Sequence, residues 1–160
     1  MNHKKSYNFL KNLPKKLNSF YKKNSKRNFK VDNKAKTIKK FDPVTSLDRG
    51  FEKYIRLLIH RVFPSHSIIG EEFKDKFSSS EYQWCIDPID GTRAFIIGAP
   101  TWSNLIGFSF KNKPALGLAN FPELNKYYIS DYKKSYVVKN KEKFILKSSK
   151  NKNLKNVKII

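Results

Sequence analysis

The chain has 160 residues with 13 Phe and 8 Tyr, long enough for one domain with a core of its own and too rich in aromatics for a disordered tail. Its 34 Lys and Arg outnumber 13 Asp and Glu to give +21, but the excess lies at the ends: residues 1–40 carry +13, residues 101–160 carry +10 and residues 41–100 carry −2. Most of the surplus is Lys accompanied by 15 Asn, with no basic recognition helix, aromatic RNA-binding signature or zinc-ligand spacing, which excludes specific nucleic-acid binding as the leading class.

In chain order, Leu10, Leu13, Leu17, Phe20 and Tyr21 recur at helical spacing, and Pro14 suits a first turn, so residues 1–30 predict one amphipathic opening helix with a lysine-covered outer face. From about Asn24 to Lys40 a loop or irregular strand is expected. Thr45 precedes Leu47-Asp48, after which Phe51, Ile55, Leu58 and Val62 mark the buried face of a helix that Phe63-Pro64 ends. His66 follows in the connecting loop and is expected as a satisfied surface histidine. Ser67-Ile68-Ile69 stops at Gly70, and Trp84-Cys85-Ile86 stops at Asp87-Pro88, so two short strands each end in acidic residues. Cys85 is the sole cysteine; it excludes an internal disulfide and, within an apolar run, is expected to be a buried, inert thiol. Strands are expected over 105–110, 115–119, 127–130, 136–138 and 144–146, with turns at Asn112-Lys113-Pro114 and Asn140-Lys141. The pattern predicts an α+β fold, an antiparallel meander packed on helices. No run approaches the ~18 apolar residues of a membrane span and the N-terminus lacks a secretory core, so a cytoplasmic protein without a membrane partner is expected.

The acidic residues concentrate where the charge balance dips. The acids there are Asp42, Asp48, Glu52, Glu71, Glu72, Asp87 and Asp90, with Asp75 and Glu81 in the intervening loop, and in "WCIDPIDGTRAF" (Trp84 to Phe95) Pro88 holds Asp87 extended while Gly91 allows a tight turn after Asp90. Two carboxylates brought to one side of such a turn repel unless a proton or a cation lies between them. Oxygen-only ligands without Cys or His favour magnesium or manganese over zinc. Each residue also has a bland reading: Asp48 as a capping-box partner of Thr45, Glu71-Glu72 as a solvated strand end, Asp90-Gly91 as a turn, Arg93 as a helix-surface side chain.

"DPVTSLD" (Asp42 to Asp48), "FPSHSIIGEEF" (Phe63 to Phe73) and "WCIDPIDGTRAF" resemble, in order and spacing, the inositol monophosphatase family of metal-dependent phosphomonoesterases, and "DGTRAFIIGAPTW" is most similar to its histidinol-phosphatase branch. The resemblance implies the N-terminal half of the sugar-phosphatase fold. It assigns Glu71, Asp87 and the Ile89 carbonyl to a first magnesium, with Asp87 and Asp90 on a second. Thr92, bonded to Asp48, would orient and help deprotonate the attacking water; Asp48, Thr92 and Glu71 are thus the expected catalytic residues. Gly91 and Thr92 N–H groups at a helix start would hold the phosphate, and Glu72 would support Glu71 from behind. Two or three magnesium ions, replaceable by manganese, would activate water and neutralise the leaving oxygen. The implied partner is a small phosphate monoester, histidinol phosphate before inositol phosphate or a nucleotide 3′-phosphate, and the family is often homodimeric. Arg93 would steer phosphate or close a subunit contact.

Family members are longer, and their second-half Trp-Asp motif has no counterpart here: Trp84 and Trp102 are followed by Cys85 and Ser103. Residues 31–150 are therefore expected to form the metal-binding unit and residues 151–160 to begin a crossover into a half not contained in this chain, with apolar sheet surface left exposed. The rival from another class is a non-catalytic basic protein that keeps the fold and binds polyanions through its lysines.

Overall fold

The computed structural model describes residues 3–25, 29–34 and 43–148. Asp42 and the expected crossover at residues 151–160 lie outside them. Helix α1 (His3–Asn24) buries Leu10, Leu13 and Leu17 completely and turns its lysines outward. Pro14 lies inside this helix, not in its first turn, because Ser6 and Leu10 already face the core upstream of it. An interior proline costs a helix about 3 kcal/mol. Burial of the three leucines, worth roughly 1.5–3 kcal/mol each, offsets it.

Strand β1 (Val31–Asn33) pairs antiparallel with β2 (Pro43–Thr45) and so delivers the chain to helix α2 (Ser46–Val62). Thr45 caps α2, its hydroxyl accepting from the N–H groups of Leu47 and Asp48; Phe51, Ile55 and Leu58 are buried as expected and Leu47 and Ile59 join them, whereas Val62, also expected in this face, is only partly buried near the helix end. Strands β3 (Ser67–Gly70), β4 (Tyr82–Asp90), β5 (Ser103–Phe110), β6 (Lys113–Phe121), β7 (Lys126–Asp131), β8 (Lys134–Lys139) and β9 (Glu142–Ile145) form one sheet in chain order. From β4 onward all pairs are antiparallel, as the meander predicts, but β3 runs parallel to β4, so the sheet is mixed. A crossover through residues 71–81 makes that parallel pair. Positive φ at Lys111 and Asn112 and at Asn140 and Lys141 forms two of the tight turns; the first therefore lies one residue ahead of its expected place, and Lys113 already opens β6.

Contrary to expectation, β4 does not stop at Asp87-Pro88. It continues to Asp90, and Pro88 is tolerated because the ladder with β5 shifts register between Asp87 and Asp90. Asp87 stands opposite Leu105 and Asp90 opposite Ser103, so β4 carries one extra residue there.

Strand alternation divides the sheet into two faces. Trp84, Ile86, Ile106, Phe108, Leu116, Leu118 and Ile129 are buried in one cluster with the leucines of α1 and the apolar stripe of α2. The opposite face presents Cys85, Leu105, Gly107, Gly117 and Ala119, which line an open apolar groove. Cys85 is therefore exposed, not buried: its neighbours Trp84 and Ile86 take the core side and send it to the other. His66 is also displaced from its expected place. It is buried between the rings of Phe63 and Tyr82, and Trp84 Nε1 donates to its Nδ1 at 3.0 Å. Among the described residues no helix is long and apolar enough to cross a membrane.

Candidate metal and phosphate site

Three chain segments meet at one end of the sheet: the start of α2, the end of β3 and the end of β4 with the short helix α3 (Thr92–Ile96). The register shift in β4 has a chemical effect. In a regular strand residues three apart point to opposite faces; one inserted residue restores Asp87 and Asp90 to the same face. Gly91 then turns the chain at φ 81°, a left-handed value that a side chain would oppose, and α3 begins.

Asp87 is the electrostatic centre of the site. Burial, then the charge and hydrogen bond of Glu71, then the charge of Asp90, push its carboxyl up to about 7, against a bond from the Ile89 backbone. Its Oδ1 is buried without a hydrogen-bond partner among the described residues. Asp90 is exposed and accepts from Ser103 Oγ at 3.3 Å. Glu71 and Asp87 are thus brought together and Asp90 lies within electrostatic reach. Among the described residues no set of three or more His, Cys, Asp or Glu side chains gathers as a metal cluster.

Asp48 combines both of its readings. Its Oδ2 accepts from the Thr45 N–H at 2.8 Å and from the Thr45 hydroxyl, completing the capping box, and its Oδ1 faces the Thr92 hydroxyl at 3.4 Å. Burial raises the Asp48 carboxyl, opposed by the Thr45 bonds, its own backbone N–H and the charge of Lys34. The Thr92 hydroxyl, with one proton to give, lies closer to the Ile89 carbonyl at 3.0 Å. Arg93 lies on the exposed side of α3.

Three further supports hold these residues; the sequence shows Glu52 among the acids without giving it a role, and the other two were not legible in the motifs. Glu52, fully buried, accepts from Arg56 Nε at 2.7 Å and from the Glu72 N–H at 2.7 Å, tying α2 to the acidic segment; a Cβ at Gly70 would collide with its carboxylate. Lys34, directly after β1, donates to Glu71 Oε1 at 2.9 Å and also pairs with Glu72 Oε1. Asn104 Nδ2 donates to the Pro88 carbonyl at 2.6 Å and its Oδ1 accepts from Asn120 Nδ2 at 2.9 Å, so a buried amide pair fixes the bulge. Buried position of a polar residue on an apolar-facing strand register was the available signal for both asparagines.

Residues 3–159 match the model of the Inositol monophosphatase family. The chain belongs to that family. It is 43% identical over 86 residues to a histidinol-phosphatase of Chlorobaculum parvum, covering 54% of this chain and 33% of the relative, and 42% identical over 101 residues to a chloroplastic bifunctional phosphatase of Arabidopsis thaliana, covering 57% and 29%. Among solved structures, the extragenic suppressor protein suhB of Bartonella henselae superposes with a TM-score of 0.66 at 20% identity, over 89% of this chain and 50% of that one; an inositol monophosphatase of Thermotoga maritima gives 0.64 at 29% identity, over 86% and 50%. The α+β fold is therefore that of the family, and the two curated relatives just named are phosphatases. One structural neighbour, an IMPase/NADP phosphatase, is complexed with Mg2+ and phosphate. The chain spans about a third of the length of these curated relatives and about half of the solved chains.

Proposed function

We propose that this site hydrolyses a small phosphate monoester with magnesium, histidinol phosphate in particular, as part of a cytoplasmic enzyme whose metal-binding residues lie within 31–150. One observation carries the reading: the Asp87 carboxyl meets Glu71 while its Oδ1 is buried with no hydrogen-bond partner among the described residues, an arrangement that holds a shared proton or a cation but not two bare charges. The residues fit a hard divalent cation, since every donor on offer is oxygen. Glu71, Asp87 and the Ile89 carbonyl would hold one magnesium and Asp87 with Asp90 a second, with manganese as a substitute; a third ion and a homodimer follow the family pattern. Bound magnesium supplies Lewis acidity and a water of lowered pKa.

The chain's own residues do the positioning. Asp48 is locked by the α2 cap and presents Oδ1 to Thr92, so the Thr92 hydroxyl can accept a hydrogen bond from a water and, as it takes that water's proton, give its own to Asp48. Ile89 offers the alternative acceptor and keeps that hydroxyl in place. The first N–H groups of α3, from Gly91 and Thr92, are unused by the helix and suit a phosphate oxygen. Glu72, anchored by Glu52, keeps Glu71 at the end of β3.

The preference for histidinol phosphate rests on the curated relatives from Chlorobaculum parvum and Mycobacterium tuberculosis, both named histidinol-phosphatases, at 43% and 34% identity. Phosphate release from histidinol phosphate, inositol phosphate and a nucleotide 3′-phosphate, with and without Mg2+, tests it. Magnesium-dependent release, fastest from histidinol phosphate, is expected. Asp87→Asn should abolish Mg2+ binding, whereas Thr92→Ala should leave binding intact and lower turnover. Retention of RNA that falls steeply with salt, without turnover, would instead favour a polyanion binder.

A further inference from the structure

Lys34 stands where the acidic residues are densest. Its ammonium reaches Glu71 Oε1 at 2.9 Å and pairs with Glu72 as well, and its charge is felt as far as Asp48. The Lys34 side chain is 27% exposed and that of Glu72 3%, so this is a partly desolvated contact and not a loose surface pair. Burial alone would favour the neutral amine; the bonds to Glu72 and Glu71 more than reverse that and hold the pKa above its ordinary value. Glu71 is thus shared between two neighbours of opposite demand, Lys34 on one side and the Asp87 carboxyl on the other.

We propose that Lys34 is a tethered counter-cation that competes with the divalent ion for Glu71, holding Glu71 and Glu72 in its absence and releasing Glu71 when the ion binds. The inference rests on the metal-site reading above. Its physical basis is charge: an ammonium in contact with a ligand carboxylate repels an incoming dication and withdraws electron density from the same oxygen. What the contact provides in exchange is a folded acidic site, because Lys34 is the ion-pair partner of the nearly buried Glu72 among the described residues. Lys34 acts through Glu71 and is a positioning residue. It directly follows β1, whose pairing with β2 fixes where that tether begins.

The test uses the full 160-residue chain and Mn2+ as the probe, with binding followed by calorimetry and by the spectrum of the free aqueous ion. Lys34→Met should bind Mn2+ roughly two- to fivefold more tightly than the wild type, the range expected for losing one partly exposed ion pair, and should melt earlier without metal. Lys34→Arg, which keeps the charge, should bind as the wild type does. A readout on the unaltered protein covers a variant that fails to fold: acetylation of Lys34 by a limiting amine reagent, followed by peptide mass spectrometry, should rise when Mn2+ is added. Unchanged or weaker Mn2+ binding by Lys34→Met, or Lys34 labelling that does not rise with bound Mn2+, overturns the competition alone. No Mn2+ binding by wild type or either variant overturns the metal site and this inference with it.

Discussion

The two faces of the seven-stranded sheet carry different side chains on the same strands. On the helix-covered face β4, β5 and β6 contribute Trp84, Ile86, Ile106, Phe108, Leu116 and Leu118, all buried. On the open face the alternate positions are Cys85, Leu105, Gly107, Gly117 and Ala119, with Asp87 at the rim of the same groove. A face built for water on an antiparallel sheet alternates into polar residues. This one alternates into small and apolar residues. The covered face therefore holds the fold, and the open face presents the Asp87 carboxylate beside surface of the kind that elsewhere makes contacts.

The largest expected effect removes the centre of the covered face. Trp84→Ala should cost about 3–5 kcal/mol in chemical denaturation, because Trp84 is completely buried and donates to His66, whereas Leu105→Ala on the open face should cost less than about 1.5 kcal/mol. Equal losses would mean that both faces are packed and would break the contrast. Next comes the link between the faces. Asn104 lies on the covered side yet bonds the Pro88 carbonyl within the bulge that carries Asp87 and Asp90. Asn104→Leu leaves that carbonyl and the Asn120 amide without their shared partner and should cost about 1–3 kcal/mol. It should also weaken Mn2+ binding; a stability loss with unchanged binding would separate the bulge from the site.

Elements with a strong local pattern were legible from the residues alone. The cap at Thr45, the apolar stripe of α2 and the meander follow from spacing and turn chemistry that act within a few residues of each other. Charge crowding was anticipated between Asp87 and Asp90, whereas the contact of Asp87 with Glu71, the stronger of the two, came only from the resemblance. What local pattern could not supply was register. Pro88 reads as a strand end because a proline breaks a ladder, yet a bulge absorbs it, and the bulge is a property of the β4–β5 pair and not of either strand. Pro14 misled for the same reason, since tertiary burial of Leu10, Leu13 and Leu17 outweighs an intrinsic helix penalty. Cys85 and His66 were misplaced because each lies beside buried residues in sequence while alternation or a ring stack decides its own environment. Lys34 was hidden among many lysines of identical composition, and distance in space alone singles it out.

A smaller effect comes from pH acting on the covered face. Burial first, then the charges of Lys5 and Lys76, hold the His66 pKa below its ordinary value of 6.5. The unfolded chain takes up a proton near 6.5 while the folded chain resists until lower pH, so the unfolded state binds more protons in between. The His66 contribution to stability is present in full above 6.5 and declines as pH falls below it. Protonation at Nδ1 also removes the acceptor for Trp84. The denaturation midpoint of the wild type should fall more between pH 7 and pH 5 than that of His66→Gln, which cannot titrate. Parallel falls would remove His66 from the pH response of this face.

The smallest effect belongs to Cys85, which makes it the sharpest probe of the open face. Its thiol is exposed, its strand neighbours across the sheet are Ile69 and Gly107, and its polar contact is a long 3.7 Å approach from Gln83 Nε2. Nothing in that environment depends on sulfur, so Cys85→Ser should change stability by less than about 0.5 kcal/mol. The native thiol should react with an aromatic disulfide reagent within the time a denatured sample takes, because a reagent reaching this face needs no unfolding. Labelling limited by global unfolding would require the groove between Ile69 and Ala119 to be covered in the native protein. Labelling at the fast rate, with Trp84→Ala unfolded under the same conditions, would show that one strand can be indispensable on one side and reagent-accessible on the other.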